Sequence, residues 1–326
     1  MIKVEHLVKR YGNRNVVDDL SFEVEKGQIV GFLGPNGAGK STTMNMITGY
    51  ISATEGKVEI DGIDIFEEPE LAKKKIGYLP EQPPVYPDML VREYLSFVCD
   101  LKGVKKEKRE QTVSKVMRRT KTTDVAERLI KNLSKGYKQR VGLAGAMIGE
   151  PEILILDEPT VGLDPKQILE IRELIRELSK KHTILLSSHI MQEVSAVCNQ
   201  IMIINEGKMI VADTPDKIAS HIEQTNEVTL LVRGNSELLK SVLEKTEGIK
   251  EFSVKKTEEP EECEILVVCD AGQDIRADLF FAFAEVKCPI LNITSREPSL
   301  EEVFIKLTGN GSRQRAARKR KGEEKQ

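Results

Sequence analysis

The sequence predicts an α/β protein of two domains: a larger one built on a parallel sheet, with an antiparallel β subdomain and an inserted helical subdomain, and a smaller ferredoxin-like βαββαβ domain. Three observations predict it. Gly34-Pro35-Asn36-Gly37-Ala38-Gly39-Lys40-Ser41 lies between an apolar run, 29–33, and a helix-like stretch, 42–48, so a glycine-rich loop sits where a strand turns into a helix. Ile153-Leu154-Ile155-Leu156 is apolar throughout and closes on Asp157-Glu158, as a central parallel strand buried on both faces does. After Pro215 the rhythm changes to strand, helix, strand, strand, helix, strand.

The 326 residues suffice for a larger and a smaller core. We read the domains as 1–220, with a helical insert at about 85–150, then 225–309, then a basic tail over 310–326. Hydrophobic residues make up 40% and charged residues 31%, and no apolar run approaches the ~20 residues that span a bilayer. Any membrane partner is therefore another chain. The charged start Met1-Ile2-Lys3-Val4-Glu5-His6 lacks a signal peptide's apolar core, which reads as a protein of the cytosol or of the cytosolic face of a membrane. Five scattered cysteines without metal spacing read as reduced, buried thiols. A net charge of −3 gives no reason to expect nucleic acid.

In chain order, residues 2–5 and 17–25 read as antiparallel strands; in the second, Leu20, Phe22 and Val24 alternate with Ser21, Glu23 and Glu25. Tyr11, between them, has two readings on position alone: a ring packed at a strand end, or one stacked on a nucleobase. In the glycine-rich loop, Gly34, Pro35, Asn36, Gly37, Ala38 and Gly39 let successive backbone N–H groups converge on phosphate oxygens. The helix start that follows, through Ser41 and Thr42, favours an anion. Lys40 would reach the phosphates, and Ser41 would offer its hydroxyl to Mg²⁺. Strands at 57–62 and 76–79 flank a short helix at about 67–75. Gln82, on the proline-rich loop beyond them, is either a solvated residue or one that orders water or Mg²⁺ beside a γ-phosphate.

From 91 to about 128 the chain turns charged and helical, an insert in the larger domain. Its basic face, Lys105 to Arg119, is interspersed with Glu107 and Glu110 and lacks aromatics, which favours a solvated face over nucleic-acid contact. Leu133-Ser134-Lys135-Gly136-Tyr137-Lys138-Gln139-Arg140 follows, with Ser134 at a helix N-cap and a helix through 141–148. A helix start with Gly136 is a second place for an anion, with nothing local to say which.

Strand 153–157 delivers its acids to the carboxyl edge of the sheet, where ligands gather. Asp157 is thereby placed to hold Mg²⁺ and Glu158 to activate water. A tight loop from Pro159 to Pro165 leads into an amphipathic helix over 167–180 and a buried strand over 183–189 with polar residues at its end. His189 is the histidine placed for chemistry, whereas His6, His182 and His221 read as solvated. In the last third, strands at 228–233, 249–256, 263–269 and 290–296 and helices at 236–246, 274–286 and 299–308 give βαββαβ order with one added helix. No convergent polar cluster marks a ligand site there, so a structural role leads over sensing or dimerisation. The tail, with Arg313, Arg315, Arg318, Lys319, Arg320 and Lys321, reads as disordered, placed either to solubilise the chain or to meet an anionic membrane.

Assembled, the phosphate loop, Gln82, Leu133-Ser134-x-Gly136, Asp157-Glu158, Leu163-Asp164 and His189 resemble, in order and approximate spacing, the ATP-binding subunits of ABC transporters over residues 1 to about 220. The resemblance implies ATP and Mg²⁺ as ligands. It also implies a head-to-tail pair of such subunits, read as a homodimer, in which the Ser134–Gly136 helix start of one closes over the γ-phosphate held by the other. By the same resemblance Glu158 polarises water, His189 contacts the γ-phosphate, Gln82 links Mg²⁺ to a transmembrane subunit, Asp164 crosses the dimer seam, and Tyr11 takes the adenine-stacking place. Lys135 and Tyr137 stand where the family usually has Gly and Gln, which bears on how closely this helix start packs on the partner's nucleotide. Ser134 to Arg140, Gly162-Leu163-Asp164-Pro165 and the run from Glu297 to Phe304 are similar to the drug, sodium and gliding-motility exporter subfamily, implying a separately encoded permease that exports. One rival is a soluble relative acting on ribosomes or DNA, disfavoured by a single module and an insert too short for a coiled coil. The other, a regulatory ATP-binding subunit, is disfavoured by intact Lys40, Ser41, Asp157, Glu158 and His189.

Overall fold

The computed structural model describes residues 1–220, 226–257, 259, 261–269, 274–296, 301, 304–305 and 307–309. The chain divides into two compact units, 1–215 with 307–326, and 216–306. The first begins with β1 (Ile2–Tyr11), β2 (Arg14–Val24), β3 (Ile29–Leu33), α1 (Lys40–Ile47), β4 (Glu55–Ile60), β5 (Ile63–Asp64), α2 (Pro69–Lys74) and β6 (Ile76–Leu79). The helical stretch is α3 (Val91–Leu101), α4 (Lys106–Arg119) and, after two single-turn 3₁₀ segments, α5 (Lys135–Met147). Then come β7 (Ile153–Asp157), α6 (Pro165–Ser179), β8 (Thr183–Ser188), α7 (Met191–Ser195), β9 (Gln200–Asn205) and β10 (Lys208–Asp213).

Six strands form the central sheet in the order β10-β9-β3-β8-β7-β6. It is parallel from β9 to β6, with β10 antiparallel at one edge. Every residue of β3 and β7 is buried, which is why both read as unbroken apolar runs. A second sheet, β2-β1-β4-β5, is antiparallel and shares one core with the first, Phe22 meeting Phe32 at 5.6 Å between ring centroids. β1 runs far beyond the sequence reading of 2–5, so that Tyr11 ends it rather than lying between strands, and β2 begins three residues earlier than read. The ladder between them shifts register three times after Val4, which breaks the alternation on which the reading rested. Within the helical insert Lys102, just beyond α3, closes the end of α5: its Nζ donates to the carbonyls of Ala146 at 3.0 Å and Ile148 at 2.8 Å. On the insert's basic face Arg109 pairs with Asp100 and Lys115 with Glu150, in keeping with a solvated surface.

The chain then continues through α8 (Pro215–Ser220), and the second unit comprises β11 (Asn226–Arg233), α9 (Ser236–Lys245), β12 (Ile249–Lys256), β13 (Glu262–Cys269), α10 (Arg276–Glu285) and β14 (Ile290–Arg296). Its sheet order is β12-β13-β11-β14 with every neighbour antiparallel, the ferredoxin-like arrangement the sequence predicts. It has its own core, around Leu230, Leu239, Ile265, Leu279 and Phe283. His221 and the tail from 310 lie outside the described residues, as does part of the segment 297–308 that carries the added helix.

Candidate functional site

The site is built where β3, β7 and β8 end side by side at the carboxyl edge of the sheet. The loop leaving β3 is anchored by the Gly34 N–H, which donates to the Ser188 carbonyl at 3.3 Å. Gly37 and Gly39 adopt φ of +79° and +105°, and a Cβ on Gly39 would lie 2.7 Å from the Val16 carbonyl oxygen. Glycine is therefore required at position 39 by conformation and by space. The loop wraps around Lys40, whose buried Nζ donates to the Gly34 carbonyl at 2.8 Å and the Pro35 carbonyl at 3.4 Å.

Lys40 Nζ also lies 3.4 Å from Glu158 Oε1, and the other oxygen of that carboxylate is 2.9 Å from His189 Nδ1. One chain of contacts thus joins the phosphate loop to the ends of β7 and β8. Glu158 is held at φ +48°, a region side chains rarely occupy, and its N–H donates to Ser187 Oγ at 2.9 Å. The Ser187 hydroxyl in turn donates to the Asp157 carboxylate. Asp157 and Glu158 are 3% and 6% exposed, so two carboxylates stand against the single ammonium of Lys40 in a nearly dry site. Buried charge is stable when paired or bound to a cation, so two acids beside one ammonium leave a negative charge that a divalent cation would balance. The residues present therefore fit Mg²⁺.

Two contributors escape sequence reading. Ser187 joins both acids, and its only signal is a polar residue ending an apolar strand. Glu193, from α7, is buried and accepts from Thr160 Oγ1 and from Ser188 Oγ at 3.2 Å, bracing the loops after β7 and β8. It sits in a short polar segment that carries no signal.

The remaining candidates stand apart. Gln82 is exposed on the bend after β6, which borders β7. Tyr11 is exposed, with Lys9 Nζ 5.3 Å from its ring centre. Ser134 caps α5 by accepting the Tyr137 N–H at 3.4 Å, so that helix starts at Lys135. Gly136 is buried against Gln167, whose Oε1 would lie 2.3 Å from an added Cβ. Tyr137 donates its hydroxyl to Asp124 at 2.6 Å and carries Arg140 over its ring, so this departure from the family pattern is absorbed within the chain's own insert. Asp164 caps α6, accepting the Gln167 N–H at 2.9 Å, and with Pro165 in the first turn the helix begins two residues earlier than the sequence reading. Among the described residues, none of Gln82, Tyr11, Ser134, Gly136 and Asp164 is hydrogen-bonded to the phosphate loop. His6 is solvated, but His182 is not: it is buried just before β8, with Nδ1 2.7 Å from the Pro151 carbonyl, and burial pulls its pKa below the ordinary value. Its polar sequence context reads as solvated, whereas the fold carries the ring into a buried position.

Comparison with known proteins agrees with this geometry. Residues 17–161 match the ABC transporter family. The linearmycin resistance ATP-binding protein of Bacillus subtilis is 31% identical, over 95% of this chain and 98% of its own length. The bacitracin transport ATP-binding protein of Bacillus licheniformis is 36% identical over 96% and 98%. A solved structure of the ATP-binding subunit of an ABC transporter superposes with a TM-score of 0.62 at 31% identity, over 68% of this chain and 92% of that one. With a phosphate loop, a buried carboxylate and a histidine meeting at the sheet edge, and relatives matched over nearly their full length, the chain belongs to the ATP-binding proteins of the ABC transporter family and hydrolyses ATP to drive transport.

Proposed function

We propose that this chain powers a separate transmembrane permease as an exporter, from the cytoplasmic face of the membrane, by closing around ATP with a second subunit. The observation that carries the reading is the chain of contacts Lys40–Glu158–His189, with Lys40 and Glu158 buried and His189 half-buried. Lys40 exchanges the loop carbonyls for phosphate oxygens when ATP binds, which frees Glu158 to take a proton from water. A positioned base contributes roughly 10²–10⁴ in rate. His189, bonded to the second oxygen, fixes the carboxylate's orientation. Mg²⁺ held by Ser41 and Asp157 would supply charge neutralisation on the phosphates.

Dimer closure is supported by the helix start at Ser134 and Gly136 and by Asp164, none of which bonds the phosphate loop of its own chain. A homodimer satisfies them if each serves the partner's nucleotide, and Tyr11 then stacks on adenine. A permease is supported by a groove of about 450 Å³ beside the Gln82 loop, lined in part by Tyr50, Pro84, Tyr86, Phe97 and Leu101. Tyr50 is 78% exposed, and so aromatic a surface suits an amphipathic segment of a partner. No helix among the described residues is long and apolar enough to cross a membrane. The names of the antibiotic-resistance and antibiotic-transport relatives support an outward direction.

Glu158→Gln is expected to keep ATP binding, nearly abolish turnover and accumulate an ATP-bound dimer in sedimentation; unchanged turnover removes Glu158 from the chemistry. Co-purification from membranes should recover a polytopic membrane protein. Recovery of ribosomes or DNA-bound proteins instead keeps the ATPase and overturns the transport partner.

A further inference from the structure

Among the described residues, the second unit leaves one helix face and one sheet edge uncovered, and the two adjoin. On α10, Leu279 and Phe283 enter the core, yet Ala277, Phe280, Phe281 and Ala284 recur at i, i+3, i+4 and i+7 on the outer face, all exposed. Phe280 is 55% and Phe281 65% exposed, their rings in edge contact at 5.4 Å. A helix apolar on both faces is expected to be covered on both. By contrast α9 turns Glu237, Lys240, Glu244 and Lys245 outward, as a solvated helix does.

The sheet shows the same asymmetry. Its two edges are β12 and β14. Edge strands are normally guarded by charge or proline against pairing with another chain. β12, Ile-Lys-Glu-Phe-Ser-Val-Lys-Lys, is guarded in this way, with Glu251, Lys255 and Lys256 exposed. β14 carries no charge from Ile290 to Ser295, and among the described residues it pairs with β11 alone. A cavity of about 300 Å³ lined by Phe280, Ala284, Lys287, Cys288, Pro289 and Ile290 joins the helix stripe to the start of this strand.

We propose that α10 and β14 form a self-association surface on which the same surface of a second copy of this chain docks, independently of nucleotide. An antiparallel edge strand pairs with its own copy about a two-fold axis, so one patch satisfies both partners. Two observations favour a second copy over an anionic membrane. Unpaired strand N–H and C=O groups are met by another strand and not by lipid. Of the charges bordering the stripe, Arg276 is paired with Asp274, and Lys287 stands with Asp278 and Glu285, so the border carries no net positive charge and lipid headgroups find no basic field.

The test uses the full chain without nucleotide, which separates this contact from ATP-driven closure. In sedimentation equilibrium the wild type should dimerise reversibly, and the double variant Phe280→Glu, Phe281→Glu should raise the dissociation constant at least tenfold. Both rings are exposed, and an unchanged far-ultraviolet circular dichroism spectrum of the variant verifies its fold. Independently, Asn292→Cys places one accessible thiol on β14, since the five native cysteines are buried. A short bis-maleimide should then link it to its twin, and adding the two glutamates should abolish the link. A monomeric wild type with no cross-link overturns the proposal, as does loss of binding to anionic vesicles by the glutamate variant with self-association unchanged.

Discussion

Ser187 shows how much of the site's order rests on a residue that touches no substrate. Its hydroxyl accepts from the Glu158 N–H and donates to Asp157, fully buried. Ser187→Ala leaves a buried donor and a buried carboxylate each one partner short, a destabilisation of about 1–3 kcal/mol. Because the lost contact holds Glu158 at its strained φ, turnover should fall roughly tenfold or more while the ATP concentration for half-saturation changes less; steady-state hydrolysis checks this, and equal effects on both would make Ser187 merely structural. His182 carries a prediction in pH. With Nδ1 donating to Pro151, Nε2 is bare and buried without a partner, so the folded chain holds this ring neutral. Its pKa is lowered, first by burial, from an ordinary value of 6.5. The stabilisation is thus complete above that value and lost as pH falls below it, because the unfolded chain then binds a proton that the folded chain resists. Denaturant unfolding should show stability declining between pH 6.5 and 5 by at most about 1.4 kcal/mol per pH unit from this group, and His182→Leu should flatten that slope. The phosphate loop and the acid-ended strand were legible because both are local patterns. Ser187 was not, since its partner lies 29 residues away, and His182 misled because a polar sequence context says nothing of where a side chain ends up.

Among the elements, the parallel strands were the most readable, since burial on both faces demands unbroken apolar runs. The antiparallel strands were legible only in part: β-bulges break alternation, and no local pattern marks where a ladder resumes. Helix starts were legible when the capping chemistry was weighed, and α6 shows the penalty of overlooking it. Asp164-Pro165 is a cap followed by proline in the first turn, and the carboxylate accepts the Gln167 N–H. Asp164→Ala should therefore cost about 1 kcal/mol in stability, and Asp164→Ser should recover most of it. This pair also separates the cap from a role across a dimer seam. If Asp164 acts only as a cap, turnover recovers with Ser as stability does; if it meets a partner subunit, Ser restores the melting temperature but not the ATP-driven dimer.

At the scale of the whole molecule, two sheets in the first unit share one core while the second unit encloses another. The division was legible in the change of rhythm after Pro215, because a βαββαβ order can close a core by itself. Two separate cores predict two cooperative unfolding steps, and the nucleotide residues named above all belong to the first unit. A ligand bound there stabilises the unit that holds it: at a hundredfold excess over its dissociation constant the gain is about 2.7 kcal/mol. For a unit of this size that amounts to roughly 5–10 °C in melting temperature. Calorimetry of the full chain should accordingly show two transitions, of which a non-hydrolysable ATP analogue with Mg²⁺ raises the larger and leaves the smaller in place. Phe280→Glu with Phe281→Glu should do the reverse, leaving the analogue's shift of the larger transition intact and removing any dependence of the smaller on protein concentration. A single transition that the analogue moves as a whole would mean that nucleotide binding and the α10–β14 surface are energetically linked, and the second unit would then be a participant in the ATP cycle.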